Sequence, residues 1–105
     1  MQVEKKTISA YTVMMRALAN ETRLRILYAL HDNPKTWTEL LFKLQINPKS
    51  LRDHLEYLKK SGLIKKSKPS GFDLTEAGKA FIELSLEDII STAKKAAKVV
   101  RERAY

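Results

Sequence analysis

Two short helices separated by a connection of about three residues constrain this fold more than any other feature of the sequence. Thr36 and Glu39 form a capping-box pattern ahead of an apolar run, which predicts a helix over about residues 37–44. Asn47 is a favoured N-cap, and Pro48 suits the first position of the next helix, because a missing N–H costs nothing there. The sequence therefore predicts two short helices joined by a tight turn.

The second of these helices combines an apolar stripe with a charged face. Leu51, Leu55 and Leu58 recur at helical spacing and predict the buried side, and Gly62 is the expected left-handed residue that ends the helix. Two short helices joined so closely, the second of them basic, resemble a helix-turn-helix whose second helix enters the major groove of DNA. The opposite face holds Lys49, Arg52, Asp53, Glu56 and Lys60, with Ser50 toward its flank.

Two further helices are predicted in front of this pair. Apolar residues at 3-4-3 spacing predict an amphipathic helix over about residues 7–19. Asn20 is placed to cap a helix over about 21–32, which is apolar around most of its girth and is expected at the centre of the core. The apolar residues are Ile8, Tyr11, Met15 and Leu18 in the first helix and Leu24, Ile26, Leu27, Tyr28 and Leu30 in the second.

Behind the pair, the pattern changes to short strands and one more helix. Segments 63–67 and 72–74 flank a Pro-Ser-Gly turn, which predicts a small β-hairpin. Thr75 then caps a helix that is expected to run to the end of the sequence, with Gly78 tolerated inside it. The predicted fold class is mainly α with one small β-hairpin.

Positive charge is concentrated in the same part of the sequence. The net charge is +8, and residues 43–68 carry eight cations against two acids, Asp53 and Glu56, which is +6 of that total. A basic surface fits a polyanionic partner, because neutralised phosphates release counterions. A plain solvated basic face is the alternative. The cations are Lys43, Lys49, Arg52, Lys59, Lys60, Lys65, Lys66 and Lys68.

Composition excludes several classes of function. Without cysteine, the chain cannot form a disulfide framework, a thiolate metal site or a cysteine nucleophile. His31, at a helix end, and His54, beside the apolar stripe, are expected to be structural rather than metal ligands. No serine has a histidine and an acid at a recognisable spacing, and no glycine-rich phosphate loop occurs. The chain is therefore predicted not to be an enzyme and to hold no metal or cofactor.

The sequence also gives an expectation for the cellular location. No run approaches the roughly 18 apolar residues of a membrane span, and no signal peptide is recognised at the start. We expect a cytoplasmic, nucleoid-associated protein without a membrane partner.

Three segments resemble one known family. The segment 17–27 looks like the opening signature of the ArsR-like winged-helix transcriptional regulators, and the segment 47–64 is similar to their recognition helix and its exit into the wing. The segment 74–78 resembles a strand-to-helix turn shared with MarR-like and PadR-like regulators. The match covers about residues 15–82 in order and spacing. It implies a winged helix-turn-helix that binds DNA, and it leaves the subfamily open.

The resemblance also implies how DNA would be contacted. Residues 47–54 would lie against the major groove, where Arg52 suits a guanine and Asp53 either accepts from cytosine or orients Arg52. Asn47 and free N–H groups of the first helical turn suit a phosphate, and the 65–72 hairpin would be the wing. Arg23 is expected to make a structural bond, with a phosphate contact as the alternative. The predicted DNA-binding residues are Asn47, Lys49, Ser50, Arg52, Asp53, Lys60, Lys65, Lys66 and Lys68.

The terminal helix is predicted to join two copies of the chain. Its apolar residues follow 4-3-4-3-4 spacing, a seam for a partner helix, whereas Ala77, Phe81 and Leu84 should pack on the winged domain. The alternative is that the tail folds back on its own domain or is partly frayed. Residues 1–84 would form the DNA-binding domain and 85–105 a dimerisation extension, beginning where the seam changes phase. The predicted interface comprises Met14, Met15, Leu18, Leu86, Ile90, Ala93, Ala97, Val100 and Ala104.

These expectations combine into one function and two alternatives. The leading hypothesis is a homodimeric regulator of transcription that binds double-stranded DNA sequence-specifically. An architectural protein that coats DNA, or a winged helix used as a protein-interaction module, would have a similar sequence. No effector is indicated by the residues.

Overall fold

The computed structural model describes residues 4–84 and 86–104. For residues 86, 87, 89, 90 and 104 it describes the backbone and not the side chain. The described chain is mainly helical with a small antiparallel sheet, which confirms the predicted fold class. Its elements are α1 (Lys5–Leu18), α2 (Glu21–Asp32), β1 (Lys35–Thr36), α3 (Trp37–Leu44), α4 (Pro48–Lys60), β2 (Ile64–Ser67), β3 (Gly71–Leu74), α5 (Glu76–Glu83) and α6 (Leu86–Ala104).

Side-chain caps start the helices where the sequence predicts them. The Asn20 side chain accepts a hydrogen bond from the backbone N–H of Arg23 at 3.0 Å. Thr36 and Glu39 form the complete capping box, each side chain accepting from the other's backbone N–H. Thr75 caps α5, and its hydroxyl also donates to the carbonyl of Gly62 at 2.6 Å. This last bond ties the end of the hairpin to the exit of α4.

The core lies where α2 meets α3, α4, α5 and the hairpin. Ile26, Leu27 and Leu30 of α2 are fully buried, which confirms its central position. The predicted stripe of α4 is buried as well. Because that stripe faces the core, the opposite face of α4 is left to solvent. The buried apolar residues are Ala17, Ile26, Leu27, Ala29, Leu30, Leu40, Leu44, Leu51, Leu55, Leu58, Leu63, Ile64, Leu74 and Ile82.

The hairpin is part of a three-stranded sheet with the order β1-β3-β2. Strand β1, which the sequence did not predict, pairs Lys35 with Phe72 and Thr36 with Gly71. Two residues are too few to show an alternating pattern, so only the tertiary structure reveals them. A Cβ at position 71 would lie 3.0 Å from the Lys35 carbonyl oxygen, so the glycine allows the close approach of β1.

The expectation of one helix from Thr75 to the end of the chain is wrong. Helix α5 ends at Glu83, the backbone of Leu84 is not helical, with φ −56° and ψ 115°, and α6 begins at Leu86. The expected packing stripe is wrong in part, since Leu84 is 59% exposed and Ala77 and Phe81 are only half-buried. Ile82 and Gly78 make the buried contacts instead. A break here separates α5, which packs on the domain, from α6, whose described side chains are exposed.

The first helix buries little of its apolar surface. Met14 and Leu18 pack against the core from partly buried positions, whereas Ile8, Tyr11 and Met15 are more than half exposed. The predicted stripe is therefore split between the domain and the solvent. Within residues 4–84 and 86–104, each helix is too short or too polar to span a lipid bilayer.

Candidate nucleic-acid interface

The outer face of α4 carries the side chains that the sequence singled out. Lys49, Ser50, Arg52, Asp53 and Lys60 are all exposed. In the described part of the chain, none of these charged groups has an ion-pair partner. The whole row is therefore available to an external ligand.

The first turn of α4 is arranged differently from the expectation. Asn47 Oδ1 accepts from the backbone N–H of Lys49 at 2.8 Å and from that of Ser50 at 3.3 Å. The prediction that these N–H groups are free for a phosphate is therefore wrong. Both N–H groups are occupied by the cap. The amide Nδ2 of Asn47 remains as a donor.

A groove joins α4 to the hairpin. It has a volume of about 260 Å³, and both Arg52 of α4 and Lys66 of β2 line it. The structure thus places the cation expected to contact a base beside one expected to contact a phosphate. Trp37 and Phe72 line the same groove, and sequence reasoning missed them because both are also partly buried against the core.

The hairpin adds further exposed cations, of which Lys66 lines the groove. Lys65, Lys66 and Lys68 are exposed, while Lys59 of α4 is held by Glu56 at 3.1 Å and is less available. Strands β2 and β3 are short, four residues each, so the tip does not project far.

Arg23 lies away from this surface, and the structural interpretation of it is confirmed. Its Nε donates to the carbonyl of Ala17 at 2.7 Å, and its Nη2 to that of Arg16 at 3.1 Å. Its guanidinium stacks over the Tyr57 ring, 4.2 Å from the centroid.

The two histidines have separate environments. Burial lowers the pKa of His54, and the nearby positive charge of Arg23 lowers it further, while Asp53 acts in the opposite direction. His31 Nε2 lies 3.7 Å from a carboxylate oxygen of Glu83. Among the described residues, no three histidines and acids form a group that could hold a metal ion.

Exposed apolar side chains also lie on α1 and on α6. Ile8 and Tyr11, which the sequence did not assign to the interface, are exposed beside Met15. The predicted interface residues Met14 and Leu18 instead pack partly on their own core. On α6, the predicted seam residues Ala93, Ala97 and Val100 are exposed, whereas the side chains of Leu86, Ile90 and Ala104 lie outside the described part.

Comparison with known proteins places the chain among regulators. Residues 20–66 match the model of the family described as bacterial regulatory protein, arsR family. Over 88 residues the chain is 35% identical to the transcriptional activator HlyU of Vibrio cholerae, covering 84% of this chain and 74% of HlyU.

Solved structures agree with this result. HlyU from Vibrio cholerae superposes with a TM-score of 0.70 at 34% identity, covering 77% of this chain and 92% of that one. A winged helix-turn-helix domain from Mycobacterium bovis, described as homodimeric and DNA-binding, has a TM-score of 0.64 at 19% identity and covers 97% of this chain and 93% of that one.

Proposed function

This chain belongs to the arsR family of bacterial regulatory proteins, and we propose that it binds double-stranded DNA as a homodimer through α4 and the hairpin. It is a winged helix-turn-helix transcriptional regulator, and its relatives are regulators rather than enzymes. In cells it would act on chromosomal DNA in the cytoplasm.

The observation that carries the proposal is the groove shared by Arg52 and Lys66. A guanidinium near the N-terminus of a helix in the major groove can bond a guanine bidentately. A lysine on the neighbouring wing can neutralise a phosphate without reading sequence. One surface would then supply both specificity and affinity. The exposed cations of α4 and the hairpin are Lys49, Arg52, Lys60, Lys65, Lys66 and Lys68.

Exposed apolar residues on α1 and on α6 support the homodimer. Met15 is 54% exposed and Val100 is 66% exposed, and such side chains gain about 25 cal/mol per Å² when a partner covers them. The homodimeric Mycobacterium bovis domain shows that this fold can pair. The break at Leu84 supports residues 1–84 as the DNA-binding domain and 85–105 as the dimerisation extension.

Selection of genomic fragments by the purified protein, followed by footprinting, tests the proposal. We expect short, discrete protected sites that contain an inverted repeat, with half-site centres about 34 Å or one helical turn apart. Continuous protection would instead indicate an architectural coat, and no protection at all would favour a protein-interaction module. Arg52→Ala should weaken this protection. Arg101→Ala, which alters an exposed arginine of α6, is the control and should not weaken it.

A further inference from the structure

Arg23 connects three helices through a single side chain. It belongs to α2, and its backbone N–H is held by the cap residue Asn20 at 3.0 Å. Its guanidinium edge donates to the carbonyls of Ala17 and Arg16 at 2.7 and 3.1 Å. These carbonyls belong to the last turn of α1, where a cation is favoured by the helix dipole.

The face of the same guanidinium lies on α4. It stacks over the Tyr57 ring at 4.2 Å from the centroid, within the range of a cation–π interaction. Tyr57 is on the helix that carries Arg52, and the two positions are five residues apart. A shift of this ring would therefore move the predicted base-contacting residues with it.

Direct packing between α1 and α4 is incomplete. A groove of about 190 Å³ lies between them, lined by Val13 and Arg16 of α1, by Tyr57 and Lys60 of α4, and by Ser61. Arg23 spans the two helices beside this groove. Only a planar guanidinium can donate from its edge to two carbonyls while its face covers a ring, so lysine cannot replace it.

We propose that Arg23 is a positioning residue for DNA recognition, which holds α4 at a fixed orientation to α1. This inference rests on the proposed function. If dimerisation uses α1, the separation of the two recognition helices is set by how rigidly each α4 is attached to its own α1. The contact of Arg23 with Tyr57 adds a direct link between these two helices to the attachment that the core provides.

Dependence of binding on half-site spacing tests this role. The probes are a duplex with both half-sites at the selected spacing, the same duplex lengthened between half-sites by two base pairs, and a duplex with one half-site. Wild type and Tyr57→Phe, which keeps the ring face, should bind the lengthened duplex at least about tenfold more weakly. Tyr57→Leu and Arg23→Lys should lose that discrimination to below about threefold, yet keep their affinity for one half-site within about twofold.

Thermal unfolding of each variant checks that it is folded at the binding temperature. If Tyr57→Leu does not fold, Arg23→Lys alone provides the test. Full spacing discrimination in both variants would overturn the inference. So would a parallel loss of affinity for all three duplexes, because that result means that the contact only supports folding. A wild-type protein without any spacing dependence would contradict the proposed homodimer itself, and the inference with it.

Discussion

At the scale of single residues, Gly78 shows a constraint that a sequence pattern does not carry. The hydrophobic periodicity of the sequence indicates only that a glycine is tolerated inside this helix. In the structure, a Cβ at this position would overlap the carbonyl oxygen of Leu63, which is backbone and cannot rotate away. The glycine is therefore required for α5 to approach the start of the hairpin.

Gly78→Ala should lower the free energy of unfolding by about 1–3 kcal/mol, the usual cost of overpacking a close contact. Denaturant unfolding measures it. Lys79→Ala, at the exposed next position of the same helix, should stay within about 0.5 kcal/mol of wild type. Equal stability of Gly78→Ala and wild type would show that the contact is not close.

His54 should make stability depend on pH. Its pKa is lowered in the folded protein, so the unfolded chain binds more protons between the folded and unfolded pKa values. Stability is then fully present above about pH 6.5 and falls as pH drops below that value toward the folded pKa.

Unfolding at a series of pH values checks this dependence. His54→Gln should flatten the profile below about pH 6.5, whereas His31→Gln, which removes the other imidazole, should keep the contribution of His54. An unchanged profile in His54→Gln would contradict the assignment.

Arg52 and Lys66 should differ in what they contribute to DNA binding. Arg52→Ala should cost about 1–3 kcal/mol on the selected site and relax the preference at one base. Lys66→Ala should weaken all sequences alike and flatten the salt dependence by about one unit. Titration of matched and single-substituted duplexes separates the two, and a uniform loss in both variants would contradict direct base contact by Arg52.

At the scale of elements, local chemistry predicted most helix boundaries. Asn20, Thr36 and Asn47 each cap a helix as expected, because capping depends only on residues within one turn. Strand β1 and the break at Leu84 depend on long-range packing, which periodicity does not report. The apolar stripe of α4 predicted which face of this helix is exposed. It did not predict that Trp37 and Phe72 line the groove beside that face.

The apolar faces of α1 and α6 carry a prediction about assembly. The combined variant Met15→Glu and Val100→Asp should be monomeric in sedimentation experiments, because two buried carboxylates oppose association. Phe42→Glu is the matched control, since Phe42 is 76% exposed on α3, outside both faces. A dimer that survives the combined change would place the interface elsewhere.

At the scale of the whole molecule, the fold keeps its two exposed surfaces on different elements. The cations lie on α4 and the hairpin, whereas the exposed apolar residues of α1 and α6 belong to other helices. Such an arrangement allows one surface to pair while the other stays open. We expect the exposed cations of α6 to keep that helix soluble rather than to contact phosphates, so binding should not depend on them.

The salt dependence of binding to the selected duplex tests the central claim most directly. If three exposed cations of each protomer engage phosphates, a plot of the logarithm of the binding constant against the logarithm of the salt concentration should have a slope of about −5. The slope should become shallower in Lys49→Ala with Lys66→Ala, and stay unchanged in Lys94→Ala with Lys95→Ala on α6. Binding that is insensitive to salt, or that loses its slope only in the α6 variant, would contradict a DNA-binding surface on α4 and the hairpin.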